Sequence, residues 1–173
     1  MKKILLAVLV MLLAAACTPS EKIALKSQKV VRNDIEMLHG ETSLDQLYFD
    51  YPQWREEMEA YKPDSALIKK LSALDKQFDL LLFFSTWCPD SKREVSRFFR
   101  IAGQAGLFPK MNMRMWALDR KLQVDNNLAQ KYNIKRVPTF IFMVKGKEIG
   151  RIIESPESFL LEEDVFNILS KIK

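Results

Sequence analysis

Two cysteines occur in the 173-residue chain, and Cys88 stands in the run Trp87-Cys88-Pro89-Asp90-Ser91-Lys92-Arg93-Glu94. An apolar block, Leu80-Leu81-Leu82-Phe83-Phe84, ends just before it, and Val95, Phe98, Phe99 and Ala102 follow at helical spacing. Cys88 is therefore expected on a strand-to-helix turn, where a helix begins. Unpaired backbone N–H groups and the positive end of the helix dipole favour thiolate over thiol there, and the thiolate is the attacking form. Pro89 suits a first helical turn, where its missing N–H is not needed, and Trp87 would flank the sulfur with a flat apolar surface. Lys92 and Arg93 act with the dipole, while Asp90 acts against it. The competing reading is a small buried hydrophobe, because unpaired cysteine is among the most buried residue types.

The elements that must hold this turn are readable from periodicity. Phe78 to Ser85 is a continuous apolar block of strand length, the pattern of a strand buried on both faces at the centre of a sheet. Met111 to Leu118 reads as a second strand and Asn127 to Tyr132 as a short helix. Thr139 to Val144 and Glu148 to Ile153 read as a hairpin turning at Lys145-Gly146-Lys147. Ser155 can cap a last helix with Pro156 at its first position and Leu161, Val165, Ile168 and Ile172 facing inward. Upstream, residues 36–62 read as a helical extension, with Pro52 in a first turn and Trp54, Met58 and Tyr61 on one face. Asp64 or Ser65 then caps a helix carrying Leu67, Leu71 and Leu74. This order predicts an α/β fold, three layers deep, with a mixed central sheet and helices on both faces over residues 63–173.

Residues 1–16 are an address rather than part of the fold. Met1-Lys2-Lys3 is a basic start, Ile4 to Leu13 is apolar, and three alanines precede Cys17, which is signal-peptide grammar. The apolar run is too short to span a bilayer. Leu-Ala-Ala-Ala-Cys resembles the lipobox of bacterial lipoproteins, although Ala14 stands where those sequences usually have Leu, Val or Ile. That resemblance implies lipid attachment at Cys17 and a membrane-anchored protein of the bacterial cell envelope facing the periplasm. Thr18, where inner-membrane lipoproteins commonly carry Asp, favours the outer membrane. A plain secretory signal is the alternative. Residues 17–35 read as a tether, and with Cys17 lipidated Cys88 is the only thiol left, so no internal disulfide forms.

Composition narrows the classes further. At 48% hydrophobic and 28% charged, the chain fits one ordinary globular domain. A net charge of +5, with bases scattered among acids, gives no stripe for gripping phosphates, so nucleic acid is not an expected partner. One His and two Cys supply no structural zinc framework, and neither metal nor cofactor is expected. His39 is too distant in sequence to be read as a base for Cys88, and Met111, Met113 and Met115 read as core filling. A peroxiredoxin-type arrangement fails at Leu81, where that chemistry places Pro.

A second short motif, Val137-Pro138-Thr139, opens the hairpin about fifty residues after Cys88. Together with the apolar strand and Trp87-Cys88-Pro89-Asp90-Ser91, it resembles the thioredoxin-like family, over about Ala66 to Lys173. The match is nearest to membrane-anchored thiol-disulfide proteins of bacterial envelopes. The resemblance implies that Pro138 is cis and faces the Cys88 sulfur. It implies too that the Val137 backbone pairs with an extended substrate, with Trp87, Pro89 and Thr139 beside it. An edge-strand proline of no significance is the alternative for that motif.

Three departures matter. The family motif is W-C-x-x-C, and here Ser91 stands in place of the second Cys. A hydroxyl cannot attack a mixed disulfide to release substrate, so the dithiol cycle is cut in half. Ser91 can still donate a hydrogen bond to the Cys88 thiolate. An acid common in the central strand is Leu82 here, and a Gly usual near Glu154 or Ser155 is absent. What remains is a monothiol protein whose partners are protein thiols or disulfides, or a small thiol, with isomerase or mixed-disulfide chemistry at Cys88. The alternative is a redox-inactive binding module that captures extended or thiol-bearing clients.

Overall fold

The strand that leads to Cys88, β3 (Phe78–Phe84), buries both its faces. Phe78, Leu80, Leu82 and Phe84 enter one apolar core, and Leu81 and Phe83 enter a second on the opposite side. Each large side chain fully buried this way contributes about 1.5–3 kcal/mol, which is why the block sits at the middle of a sheet. The computed structural model describes residues 27–172, and the stretch read as a signal peptide (1–16) and Cys17 lie outside the described residues. Among the described residues six strands form one sheet: β1 (Gln28–Arg32), β2 (Ile35–Thr42), β3, β4 (Met111–Ala117), β5 (Thr139–Val144) and β6 (Lys147–Ile153), in the spatial order β1-β2-β4-β3-β5-β6. Only β3 and β4 run parallel, and every other neighbouring pair is antiparallel. The expected mixed α/β sheet is what the chain forms.

Helices α1 (Leu44–Asp50), α2 (Gln53–Ala60), α3 (Ser65–Ser72), α4 (Pro89–Gln104) and α6 (Leu161–Leu169) bury their apolar stripes in the first core. Trp54 and Leu71 enter it from α2 and α3, and Val95, Phe98, Phe99 and Ala102 from α4. The short α5 (Leu128–Lys131) lies on the other face, where Ala129, Val124 and Ile134 pack against Phe83, Trp116 and Ile141. Asp64 caps α3, its carboxylate accepting from Leu67 N at 2.9 Å. The β5–β6 loop turns on Lys145 and Gly146, both at positive φ, as a two-residue hairpin requires. Gly150 lets α6 lie close on β6, since a Cβ there would meet Ile168 Cγ1 at 2.9 Å.

The structure corrects three expectations. Residues 36–62 are not helical throughout: Ile35–Thr42 is strand β2, and helix begins only at Leu44. The tether assigned to 17–35 contains β1, which pairs with β2 across Asn33 and Asp34. Both turn residues take positive φ (51° and 60°), which Asn and Asp tolerate best after Gly, and β2 gains β4 as a partner, an advantage no local pattern announces. His39 thus lies on a strand. The last helix starts at Leu161 rather than near Pro156. Asp164 folds residues 157–158 back over the start of α6, accepting from Glu157 N at 2.7 Å and Ser158 N at 3.2 Å, so the chain loops before it coils.

Candidate active site around Cys88

Cys88 is the residue at which β3's exit becomes α4. Its backbone is extended (φ −94°, ψ 121°), and its carbonyl accepts from Lys92 N at 3.1 Å, the first bond of the helix. Pro89 occupies the first helical turn and is exposed. Asp90, whose charge opposes a thiolate, is ion-paired with Arg93 at 2.8 Å. Cys88 is 9% exposed and belongs to the second core together with Val137.

From the far side comes the turn before β5. The Val137–Pro138 peptide bond is cis, and the Val137 carbonyl lies 3.5 Å from Cys88 Sγ, accepting from the thiol. An extended segment pairing with the Val137 backbone would meet this same carbonyl. Val137 and Pro138 are buried. Thr139 is buried too, and its hydroxyl donates to Arg136 O at 2.7 Å, so it braces the turn rather than facing solvent. Pro138 O accepts from Glu154 N at 2.7 Å. Glu154, near which the Gly noted as absent from this sequence would stand, holds φ 61°, and its carboxylate pairs with Arg136 at 2.7 Å. The chain thus keeps a left-handed residue beside the cis proline without a glycine.

Ser91 takes a different part from the one expected. Fully buried, its Oγ accepts from Ser85 N at 3.2 Å and so ties α4 to the end of β3, instead of donating to Cys88. Ser85 Oγ in turn donates to Leu118 O at 2.9 Å, and Trp87 Nε1 donates to the same carbonyl at 3.2 Å. This shared acceptor fixes Trp87, half-buried, beside Cys88. Trp87, Cys88, Pro89, Val137 and Pro138, expected together from their motifs, lie together in the structure.

Several residues at the site were not singled out from sequence. Thr86 Oγ1 accepts from Leu38 N at 3.0 Å, joining β2 to the active-site turn. Asp119, buried, accepts from Lys121 N and Gln123 N at 2.9 Å and is bonded to Arg32 of β1. Arg120 lies over the Trp87 ring, 5.3 Å from its centroid. The only signal for these was a cluster Asp-Arg-Lys after a strand, which reads as an ordinary polar loop.

A protein family described as Thioredoxin matches residues 45–162. No curated protein matches the sequence. Among solved structures, a protein of unknown function from Pseudomonas aeruginosa shares 18% identity and a TM-score of 0.52, over 74% of this chain and 84% of that one. An HIV epitope scaffold is similar to the same degree, at 18% identity and TM-score 0.51, over 74% of this chain and 85% of its own. The germline-specific thioredoxin Deadhead of Drosophila melanogaster shares 21% identity at TM-score 0.41, over 61% of this chain and 90% of that one. At these identities the likeness to solved structures speaks for the fold alone. On the matched residues 45–162, which run from α1 to the start of α6, the chain belongs to the thioredoxin family.

Proposed function

We propose that this protein carries out thiol-disulfide exchange with a single active-site sulfur. The Cys88 thiolate attacks a disulfide R–S–S–R′, forming Cys88–S–S–R and expelling R′–S⁻, which leaves with the electron pair of the broken bond. A thiolate of the substrate, or a small thiol, then attacks the mixed disulfide and returns the Cys88 thiolate. Electrons balance without an outside oxidant or reductant, which is the pattern of isomerase or mixed-disulfide chemistry. The observation that carries the reading is Cys88 Sγ at the start of α4, 3.5 Å from the carbonyl that precedes cis Pro138. Ser91 supplies no second sulfur, so the adduct waits for an external thiol.

The proposal includes the setting. Lipid carried by Cys17 would hold the domain at a bacterial envelope membrane, facing the periplasm, with the outer membrane the better fit to Thr18. There the partners are protein thiols and disulfides, or a small thiol. The low exposure of Cys88 favours a second reading, a redox-inactive module that binds extended clients beside Pro138.

Trapping separates the two. The full chain is incubated with envelope extract, quenched with alkylating agent and analysed by mass under non-reducing conditions. Exchange predicts adducts on Cys88 that reductant releases and that Cys88→Ser abolishes. Partners recovered equally by the parent chain and Cys88→Ser, with no covalent link, would establish the binding module instead.

A further inference from the structure

A cavity of about 320 Å³ opens next to the arginine that covers Trp87, lined by Arg32, Asn33, Asp119, Arg120, Lys121 and Gln123. Its charges do not cancel. The Asp119 carboxylate is taken up by Arg32 and two backbone N–H groups. Arg120 and Lys121, both exposed, have no carboxylate within ion-pair distance among the described residues. Arg93, Arg97, Arg114, Arg136 and Arg151 each have one, while Arg55 and Arg100 do not. A surplus of positive charge therefore lines a concavity bounded by Arg120, whose guanidinium lies over the ring of Trp87, the residue before Cys88. At this volume the cavity sits at the small end of ligand pockets, which run from about 300 to 1,000 Å³, too small for a folded partner.

We infer that the Arg32–Arg120–Lys121 cavity binds the carboxylates of a small anionic thiol or disulfide, holding its sulfur toward Cys88. The inference rests on the reading of Cys88 as a nucleophile and names its substrate class. In the step it serves, Cys88 attacks the carboxylated half of the disulfide, the S–S bond breaks, and the other half leaves as thiolate. Arg32 belongs to β1, upstream of the residues matched to the thioredoxin family. This wall is thus built by the chain's own N-terminal hairpin.

The test uses the full chain carrying Cys17→Ser, with and without the pair Arg120→Gln and Lys121→Gln. Second-order rates are measured with dianionic dithiobis-nitrobenzoate and with neutral dithiodipyridine. In the double variant the rate on the anionic probe should fall about tenfold relative to the rate on the neutral one, the size expected of local electrostatic focusing. Equal effects on both probes, or none, would overturn the inference. A second readout does not need reaction: S-methylglutathione is titrated while the Trp87 indole N–H resonance is followed by NMR, and a saturable shift should vanish in the double variant. A missing shift with normal neutral-probe reactivity would discard the cavity and keep thiol exchange. A shift that survives while neither disulfide reacts would keep the cavity and discard exchange. Tighter binding of a sulfur-free acidic hexapeptide than of S-methylglutathione would replace the small ligand by an acidic protein segment.

Discussion

At the scale of single residues, the decisive position is Ser91. Its hydroxyl is committed to Ser85 N, and the side chain is fully buried, so it serves the fold as an acceptor where a thiol would serve as a second nucleophile. Ser91→Cys places a sulfur three residues after Cys88, one helical turn on, with the Val137–Pro138 turn unchanged. The expected outcome is a gain of insulin reduction in the presence of a dithiol reductant, at least about tenfold over the parent, because an internal thiolate can now resolve the adduct. Turbidity of precipitating insulin chains measures it. No gain would contradict thiol exchange at Cys88. Cys88 and Pro138 were legible in sequence because each belongs to a short local motif. The direction of the Ser91 hydroxyl was not, since it is set by a backbone N–H six residues away on another element.

At the scale of elements, the helices before the family's central strand are pinned by tyrosines. Tyr48 of α1 is buried, its hydroxyl without a partner among the described residues, and burial pushes its phenol up to about 12 despite the Arg55 guanidinium stacked on the ring. Tyr61, just after α2, donates to Glu162 of α6 at 2.8 Å, and burial together with that carboxylate holds it above tyrosine's ordinary range. Both groups are therefore neutral in the folded state at a pH where they ionise in the unfolded chain, about 10. Their contribution to stability is complete below that value and is lost as pH rises through the folded-state values. Denaturant midpoints measured between about pH 9 and about pH 12 should fall less steeply for Tyr48→Phe than for the parent. Parallel slopes would contradict the account. The helices α2 and α3 were legible from Pro52, Asp64 and their apolar spacing. The hairpin β1–β2 was missed because its stability lies in pairing with β4, although Asn33-Asp34 was a turn signal that could have been taken.

At the scale of the molecule, the sheet has two cores, and the site lies where they part at the end of β3. The continuous apolar run Leu80 to Phe84 foretold this, since only a strand buried on both faces can be apolar without alternation. Contributions from sequence-distant parts were not legible: Leu38 bonding Thr86, Arg32 bonding Asp119, and Leu118 O receiving both Ser85 and Trp87. These contacts join the N-terminal hairpin, the β4 exit and the active-site turn into one support for Cys88. Thiol exchange requires this support to present a reactive sulfur despite 9% exposure. Reaction of the folded Cys17→Ser chain with neutral dithiodipyridine at mildly acidic pH tests it most directly. The account predicts one thiol reacting in the folded protein at least as fast as the same thiol in the urea-unfolded chain. A Cys88 that reacts only after unfolding would contradict it.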